Sequence, residues 1–250
     1  MKTKLTLILA VLILSFQCHT FAEERAVKKA KKYDAKIPVR IIKEVPLPKG
    51  YHEGLYYDGK NMWVCNGEKG NIWVVNPDTG KVLSEIEPVG SFTEGITAAD
   101  NGTFWVTDWE EKMIYRVKIG EGKMSVEYEI DLSPAHPAGV VWTGDRLYMI
   151  TWTRGLGTKY HLMQLNKNER MFRKMLIKRI HEPAHLAWDG KNLWITSWYN
   201  QLVYKVDVET FEIVGSFRAP VRDVTGIVWD GEYFWLTGTR SNLYQLKVGE

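Results

Sequence analysis

The sequence predicts an all-β fold, a five-bladed β-propeller, from three observations. A pattern of apolar residues, a polar turn and an aromatic strand recurs five times, starting at Gly54, Gly95, Gly139, His185 and Gly226. The copies start roughly 40 to 46 residues apart, a period typical of propeller blades. Within each copy, short aromatic and β-branched runs alternate with polar residues, as strands do. Each copy therefore has room for one blade of four strands.

The first copy shows how the strands of a blade are assigned. Residues 55–57 form the inner strand, and Asp58-Gly59 is a hairpin signal that leads into the second strand at residues 62–65. The third strand covers residues 72–75, and the outer strand covers residues 82–86. Later copies repeat this order, with outer strands predicted over residues 125–130, 172–177 and 213–217.

The fifth copy contains its third strand at residues 243–247 but no outer strand. Residues 38–45 form a strand without a blade, so pairing them with the fifth copy closes the ring and leaves no open edge. The propeller domain is thus predicted over residues 37–250. With only five blades, the axial channel is expected to be narrow and lined by large side chains. The recurring tryptophans are interpreted as packing between blades.

The N-terminus has the features of a targeting segment. Residues 1–22 combine two early lysines, an apolar run and small residues before residue 23, and the run is too short to span a bilayer. This predicts a signal peptide, a secreted or periplasmic protein and no transmembrane segment in the mature chain. Cys18 leaves a lipid-anchored alternative open, but Phe16 and Gln17 fit a lipidation motif poorly. Residues 23–36 form a basic leader, interpreted as a solvated tether.

Charge and cysteine content exclude some classes of function. The basic excess lies in the leader and the predicted propeller is slightly acidic, so no nucleic-acid partner is expected. After cleavage only Cys65 remains, which excludes an intrachain disulfide and is interpreted as a packed strand residue. The mature chain is expected to be a monomer.

One face of the predicted propeller collects the residues that break the repeat. The connections that enter inner strands carry Tyr51, Glu53, Phe92 and Glu94, and those that follow second strands carry Trp109, Trp152 and Trp198. A carboxyl among indoles is desolvated, so its pKa is expected to rise into the range useful for acid–base chemistry. An alternative is that the glutamates cap backbone amides and the indoles pack on neighbouring loops. Residues 153–159 form a longer loop that is interpreted as a flap.

Residues 91–97, Ser-Phe-Thr-Glu-Gly-Ile-Thr, resemble the Phe-Gly-Glu-Gly-Ile-Thr motif of the plant and bacterial glutaminyl-peptide cyclotransferases. The resemblance covers about residues 37–248. It implies a five-bladed propeller and an acyltransferase that converts an N-terminal Gln to pyroglutamate with release of ammonia. Its substrate would be a small peptide or a protein N-terminus, and it would need no cofactor and no metal.

The resemblance also implies roles for single residues. Glu94 falls on the catalytic glutamate, and Trp109 and Trp198 fall on indoles of the substrate pocket. Glu53 stands where the family has Gln. The family's Lys is replaced by Thr239, with Arg240 one position further along. The resemblance places Tyr51, Phe92, Trp152 and Arg240 with these residues in substrate binding.

The chain departs from the family at two more segments, and other functions stay open. Pro137-Ala138-Gly139 stands where the family has Gly-Trp-Gly, and Pro183-Ala184-His185 replaces the segment with the family's Asn. A non-catalytic secreted propeller that binds a peptide or protein partner is therefore one alternative. A calcium-dependent lactonase-type propeller is another, since Glu-Gly begins the first two copies. A histidine-ligated metal is also considered, but the spacing of His52, His136 and His185 fits no metal motif. The oxyanion donor of a cyclotransferase is left open among Arg240, a Trp ring N–H and His52.

Overall fold

A computed structural model describes residues 37–166 and 169–249, and these form five four-stranded antiparallel sheets. This confirms the predicted all-β, five-bladed fold. The predicted signal peptide and the whole of the leader lie outside the described residues, so their boundaries stay predictions. Within the part of the chain that the structure describes, no helix has both the length and the apolar composition needed to cross a membrane.

The blades follow one another along the chain, each running from its inner to its outer strand. A short 3-10 helix, Asp100–Gly102, precedes β7. The first strand is β1 Val39–Val45; blade one then contains β2 His52–Tyr57, β3 Met62–Asn66, β4 Ile72–Val75 and β5 Val82–Ile86, and blade two contains β6 Thr93–Ala98, β7 Thr103–Asp108, β8 Met113–Gly120 and β9 Lys123–Asp131. Blade three contains β10 His136–Trp142, β11 Arg146–Thr153, β12 Lys159–Asn166 and β13 Met171–Ile177, and blade four contains β14 Pro183–Trp188, β15 Asn192–Ser197, β16 Leu202–Asp207 and β17 Ile213–Arg218. Blade five contains β18 Val224–Trp229, β19 Phe234–Gly238 and β20 Leu243–Val248.

Strand β1 closes the ring as the sequence predicts. It pairs antiparallel with β20 from Val39 opposite Val248 to Val45 opposite Leu243. The fifth sheet therefore has the order β1-β20-β19-β18, so β1 is its outer strand. The N-terminal strand completes the last blade, and β20 gains the partner that an edge strand lacks.

The hydrophobic core is divided among the contacts between blades. Each of five buried clusters joins side chains of two neighbouring blades. One aromatic residue of the second strand of every blade takes part, which confirms the predicted packing role of this position. These residues are Trp63, Trp105, Tyr148, Trp194 and Trp235.

Three of these indoles are also hydrogen-bonded to the turn that precedes their strand. In blade one, the Asp58 carboxylate accepts hydrogen bonds from the backbone N–H groups of Lys60 and Asn61. Its second oxygen accepts the Trp63 Nε1–H at 2.8 Å. The same indole bond recurs at 2.7 Å from Trp194 to Asp189 and at 2.6 Å from Trp235 to Asp230. The Asp-Gly turn signal thus also fixes the rotamer of a core residue.

The axis of the ring differs from the prediction of large lining side chains, which was wrong. Glycine occupies the innermost position in four blades, and a Cβ atom at Gly54 would lie 2.5 Å from His185 Nε2 and 2.8 Å from the Cα of Gly95. At Gly139 it would lie 2.4 Å from the His185 Cα. The His185 ring, whose Nδ1 faces the Ile227 carbonyl at 3.2 Å, fills the remaining space. Five inner strands converge too closely for larger residues.

Candidate active site

A β-bulge at the start of the inner strands positions the two predicted carboxyls. The register of β2 against β3 shifts between His52 and Leu55, and that of β6 against β7 shifts between Thr93 and Gly95. Glu53 and Glu94 lie at these shifts, immediately before the axial glycines. The other three inner strands show an equivalent shift. Because a bulge breaks the alternation of side chains, it aims both carboxyls toward the mouth of the channel.

The two glutamates face a cavity of about 330 Å³ on the face predicted from the connections. It is lined by seven residues named from the sequence, namely Tyr51, Glu53, Phe92, Glu94, Trp109, Trp152 and Trp198. Arg240 is not among the lining residues; its guanidinium lies 5.5 Å from the centre of the Tyr51 ring. The lining also contains five residues that were not among the predicted site residues, namely Glu110, Arg154, Glu182, Ala184 and Thr225.

Two of the three indoles, Trp109 and Trp152, form a connected aromatic wall. The Trp109 ring stacks on His136, with 4.7 Å between ring centres, and meets Trp152 edge to face at 5.3 Å. The Arg154 guanidinium, from the loop interpreted as a flap, lies 5.4 Å from the Trp109 ring centre. Elsewhere in the cavity lining, the rings of Tyr51 and Phe92 meet edge to face, with 6.1 Å between their centres. These contacts hold the rings in place and put aromatic surface beside the carboxyls.

Two of the indole N–H groups and the His52 ring are already engaged. Trp152 Nε1 donates to the Pro183 carbonyl at 2.8 Å, and Trp198 Nε1 donates to Thr239 Oγ1 at 3.3 Å. His52 Nε2 is paired with the Pro48 carbonyl at 2.7 Å, and the ring is buried outside the cavity lining. These groups are therefore not free to stabilise an oxyanion.

Burial dominates the electrostatics of the two glutamates. Desolvation, followed by the charge of Asp108, raises the pKa of Glu94 from 4.5 to about 8. Desolvation, followed by the charge of Glu94, raises the pKa of Glu53 well above its usual range. Among the described residues, neither carboxyl has a hydrogen-bond or ion-pair partner. At neutral pH the site therefore holds two largely uncharged carboxylic acids.

Asp108 positions the segment that leads into Glu94. Its side chain is buried and accepts hydrogen bonds from the backbone N–H of Phe92 at 2.8 Å and of Glu111 at 2.9 Å. It thereby joins the connection before β6 to the one after β7, so that Glu94 and Trp109 stay on the same side of the blade. Sequence reasoning passed over Asp108 because it stands at the end of a strand, where a turn aspartate is common.

Glu182 contributes a third carboxyl to the wall of the cavity. It adopts a left-handed backbone conformation, with φ of 47°, just before β14. Its Oε2 atom is buried without a hydrogen-bond partner within the described part of the chain. No repeat marks Glu182, Glu110 or Arg154, because they lie in connections whose lengths differ between blades. Only the three-dimensional structure brings them to the cavity.

The described residues offer no preformed metal site. No group of three or more His, Cys, Asp or Glu side chains in residues 37–166 and 169–249 is arranged to hold a metal ion. His136 stacks on Trp109, His185 lies on the axis and His52 faces Pro48, so the three histidines serve separate contacts.

Fold and site together define a β-propeller with a carboxyl-bearing aromatic cavity at one mouth of its channel. Residues 10–119 match the sequence model of the glutamine cyclotransferase family. This match confirms the resemblance inferred from residues 91–97, and the matched stretch includes Glu53, Glu94 and Trp109. No curated protein sequence shows a significant match to the chain.

Solved structures confirm the propeller architecture. Glutaminyl cyclase from Myxococcus xanthus superimposes with a TM-score of 0.69 at 16% identity, covering 85% of this chain and 97% of that one. The PQQ-bound aldose sugar dehydrogenase from Streptomyces coelicolor superimposes with a TM-score of 0.56 at 11% identity, covering 86% and 99%. At these identities the matches show the fold, and the two proteins' different names show that this fold serves more than one function.

Proposed function

We propose that the protein is a glutaminyl-peptide cyclotransferase, an acyltransferase that converts an N-terminal Gln to pyroglutamate and releases ammonia. The observation that carries this proposal is a single arrangement: Glu94, with its pKa raised to about 8, faces a cavity lined by three indoles. The family match over residues 10–119 supports it, since both Glu94 and Trp109 lie within the matched stretch.

The reaction requires little more than orientation and proton transfer. The substrate's own α-amine attacks the side-chain carboxamide carbon, and a cavity that selects the curled conformer lowers the entropic barrier. As the new C–N bond forms, Glu94 accepts a proton from the amine and returns it to the carboxamide nitrogen. The bond from the carbon to that nitrogen then breaks, and ammonia leaves. Trp109, Trp152 and Trp198 would hold the side chain and exclude water.

The pKa of Glu94 sets the expected pH dependence of this reaction. A general base must be ionised, and Glu94 is protonated below its pKa of about 8. The α-amine nucleophile must also be uncharged, and its ordinary pKa of about 8 acts in the same direction. Activity is therefore expected to rise with pH from about 6 to 8.

The proposal is tested by incubating the chain that lacks residues 1–22 with a peptide beginning in Gln and measuring ammonia. Turnover is expected for the wild type, and Glu94→Gln, which cannot accept the proton, should lower kcat by roughly 100-fold or more. Glu87→Gln removes an exposed carboxylate that pairs with Lys123 and should leave kcat unchanged. An N-acetylated Gln peptide, which has no free amine, serves as the substrate control. Absence of wild-type turnover would overturn the proposal.

A second candidate is a non-catalytic propeller that binds a peptide or protein partner in the same cavity. It is favoured by Ala184 in the cavity wall, where the family's Asn segment is replaced, and by Arg240 lying beside Tyr51, outside the lining residues. The same experiment separates the two functions, because a folded protein that binds the Gln peptide without releasing ammonia would be a recognition module.

The remaining proposals concern where the protein acts. The features of residues 1–22 support a secreted or periplasmic location. A monomer suffices for the chemistry, because one chain carries every residue of the candidate site. Mass spectrometry of the mature N-terminus tests the location: cleavage after Ala22 is expected, and an N-terminal lipid on Cys18 would contradict it.

A further inference from the structure

Glu53 is a buried acid for which the proposed mechanism has no use. It is 5% exposed, lies on β2 one residue before the axial Gly54, and lines the same cavity as Glu94. Among the described residues it has no hydrogen-bond or ion-pair partner. A carboxyl group without a protein partner that opens into a cavity is placed to complete its hydrogen bonding with a bound ligand.

The proposed reaction needs a hydrogen-bond donor to the developing oxyanion, and Glu53 can supply one. When the amine attacks, negative charge develops on the carboxamide oxygen, and this oxygen needs a hydrogen-bond donor in a dry site. The Trp152 and Trp198 ring N–H groups donate elsewhere. His52 faces Pro48, and Arg240 lies outside the lining residues. Four of the donors expected from the sequence are therefore engaged or remote, which leaves the Trp109 ring N–H and the Glu53 carboxyl among the groups that line the cavity.

We propose that Glu53, held as an uncharged carboxylic acid, donates a hydrogen bond to the substrate's carboxamide oxygen as charge develops there. This inference rests on the proposed cyclotransferase function and adds a second catalytic residue to it. An acid kept neutral by an apolar site serves as an oxyanion donor in other enzymes, so the role is chemically sound. No proton leaves Glu53 during the reaction, and Glu94 remains the proton carrier.

The surroundings of Glu53 keep its carboxyl protonated. The titratable groups that face it are Glu94 from β6, Cys65 from β3, His185 from β14 and Tyr51 just before β2, and the neighbouring strand β18 contributes none. Burial lowers the pKa of His185 to about 4, so its ring is neutral, and burial raises the pKa of the Cys65 thiol. None of these groups supplies a positive charge that would favour the ionised form of Glu53. The Arg154 guanidinium also lines the cavity, but it lies over the Trp109 ring.

The test compares two substitutions that differ in hydrogen bonding. Glu53→Gln keeps a donor in a side chain of nearly the same shape, whereas Glu53→Met removes the donor. In ammonia-release assays with a Gln peptide, Glu53→Met is expected to lower kcat by roughly 100- to 1,000-fold, as for other oxyanion donors. Glu53→Gln should stay within about 10-fold of the wild type. Thermal unfolding of both variants verifies that they fold.

The pH dependence of kcat provides a second measurement, which would not differ between the variants if Glu53 had only a structural role. Wild-type kcat should fall at high pH, where Glu53 ionises and loses its donor, and Glu53→Gln should lack this descending limb while keeping the ascending limb near pH 8. This comparison alone decides the matter if Glu53→Met fails to fold.

Three outcomes overturn the inference. Wild-type kcat in a folded Glu53→Met variant would show that Glu53 is dispensable. A loss of activity in folded Glu53→Gln as large as that of Glu94→Gln would assign it proton transfer instead. A descending limb retained in Glu53→Gln would show that ionisation of Glu53 is not what limits the wild type. If the wild type releases no ammonia, the cyclotransferase function itself fails, and the role of Glu53 fails with it.

Discussion

At the scale of single residues, Glu94 combines a cost in stability with a chemical use. Its carboxyl is desolvated beside aromatic rings, so folding favours the protonated form, and the pKa rises from 4.5 to about 8. The resemblance carried by residues 91–97 was sufficient to find Glu94 and Trp109 from the sequence. It did not reveal that Glu53 and Glu94 both lack a hydrogen-bond partner among the described residues, since that depends on contacts between blades.

Replacing Glu94 by Gln is expected to stabilise the protein above pH 5. Below the unfolded pKa of about 4.5, both states of the wild type are protonated and the stabilities should be similar. As pH rises toward 8, the unfolded state ionises first, so the wild type loses free energy of unfolding relative to Glu94→Gln. The difference should reach roughly 2–4 kcal/mol and level off above pH 8.

Urea unfolding at several pH values measures this difference, with Glu87→Gln as the exposed control. Stability curves of the wild type and Glu94→Gln that run parallel from pH 4 to pH 8 would contradict the raised pKa.

At the scale of elements, the inner strands show what a sequence pattern conceals. The predicted inner strand of blade one begins at residue 55, whereas β2 begins at His52. The bulge between these positions breaks the alternation that marks a strand, so the pattern ends where the bulge begins. Strands β4 and β5, whose mutual register shifts only at the Val74–Val75 end of β4, were predicted with their observed bounds. The sequence thus locates the site but does not reveal the bulges that orient Glu53 and Glu94.

The axial glycines provide a prediction at the same scale. A methyl group at Gly139 would lie 2.4 Å from the His185 Cα and 2.8 Å from the Ala184 carbonyl oxygen. Because neither backbone atom can move without displacing β14, Gly139→Ala should lower the free energy of unfolding by about 1–3 kcal/mol. Gly120→Ala is the matched control, since a Cβ there meets nothing within 4 Å.

Thermal unfolding of both variants makes the comparison. Equal melting temperatures for Gly139→Ala and Gly120→Ala would show that the axis has more room than the structure indicates.

At the scale of the whole molecule, the ring was the most predictable feature. Five copies with one outer strand missing, and one strand left over before the first copy, leave a single economical closure, and β1 makes it. The contents of the axis were less predictable. The glycine at the start of four of the five copies was visible in the sequence, but its reason, the convergence of five strands on His185, depends on how the blades meet.

Removing β1 is expected to destabilise the entire ring. A chain of residues 46–250 would leave β20 as an unpaired edge and uncover the cluster that contains Val45. Compared with residues 37–250, its melting temperature should fall by roughly 10 °C, with aggregation at high concentration. Differential scanning calorimetry and sedimentation velocity provide the two readouts. An unchanged melting temperature and a monomeric truncated chain would show that closure is not what holds the ring together.

The pairing of β1 with β20 also has a consequence for biosynthesis. The two strands are separated by about two hundred residues, so β1 leaves the ribosome long before its partner exists. Blades one to four contain only consecutive strands and can form as translation proceeds, whereas blade five requires the most distant contact in the protein. Until β20 has been synthesised, β1 is an unpaired strand with about half of its residues apolar. We therefore expect it to be the segment that a chaperone binds during synthesis.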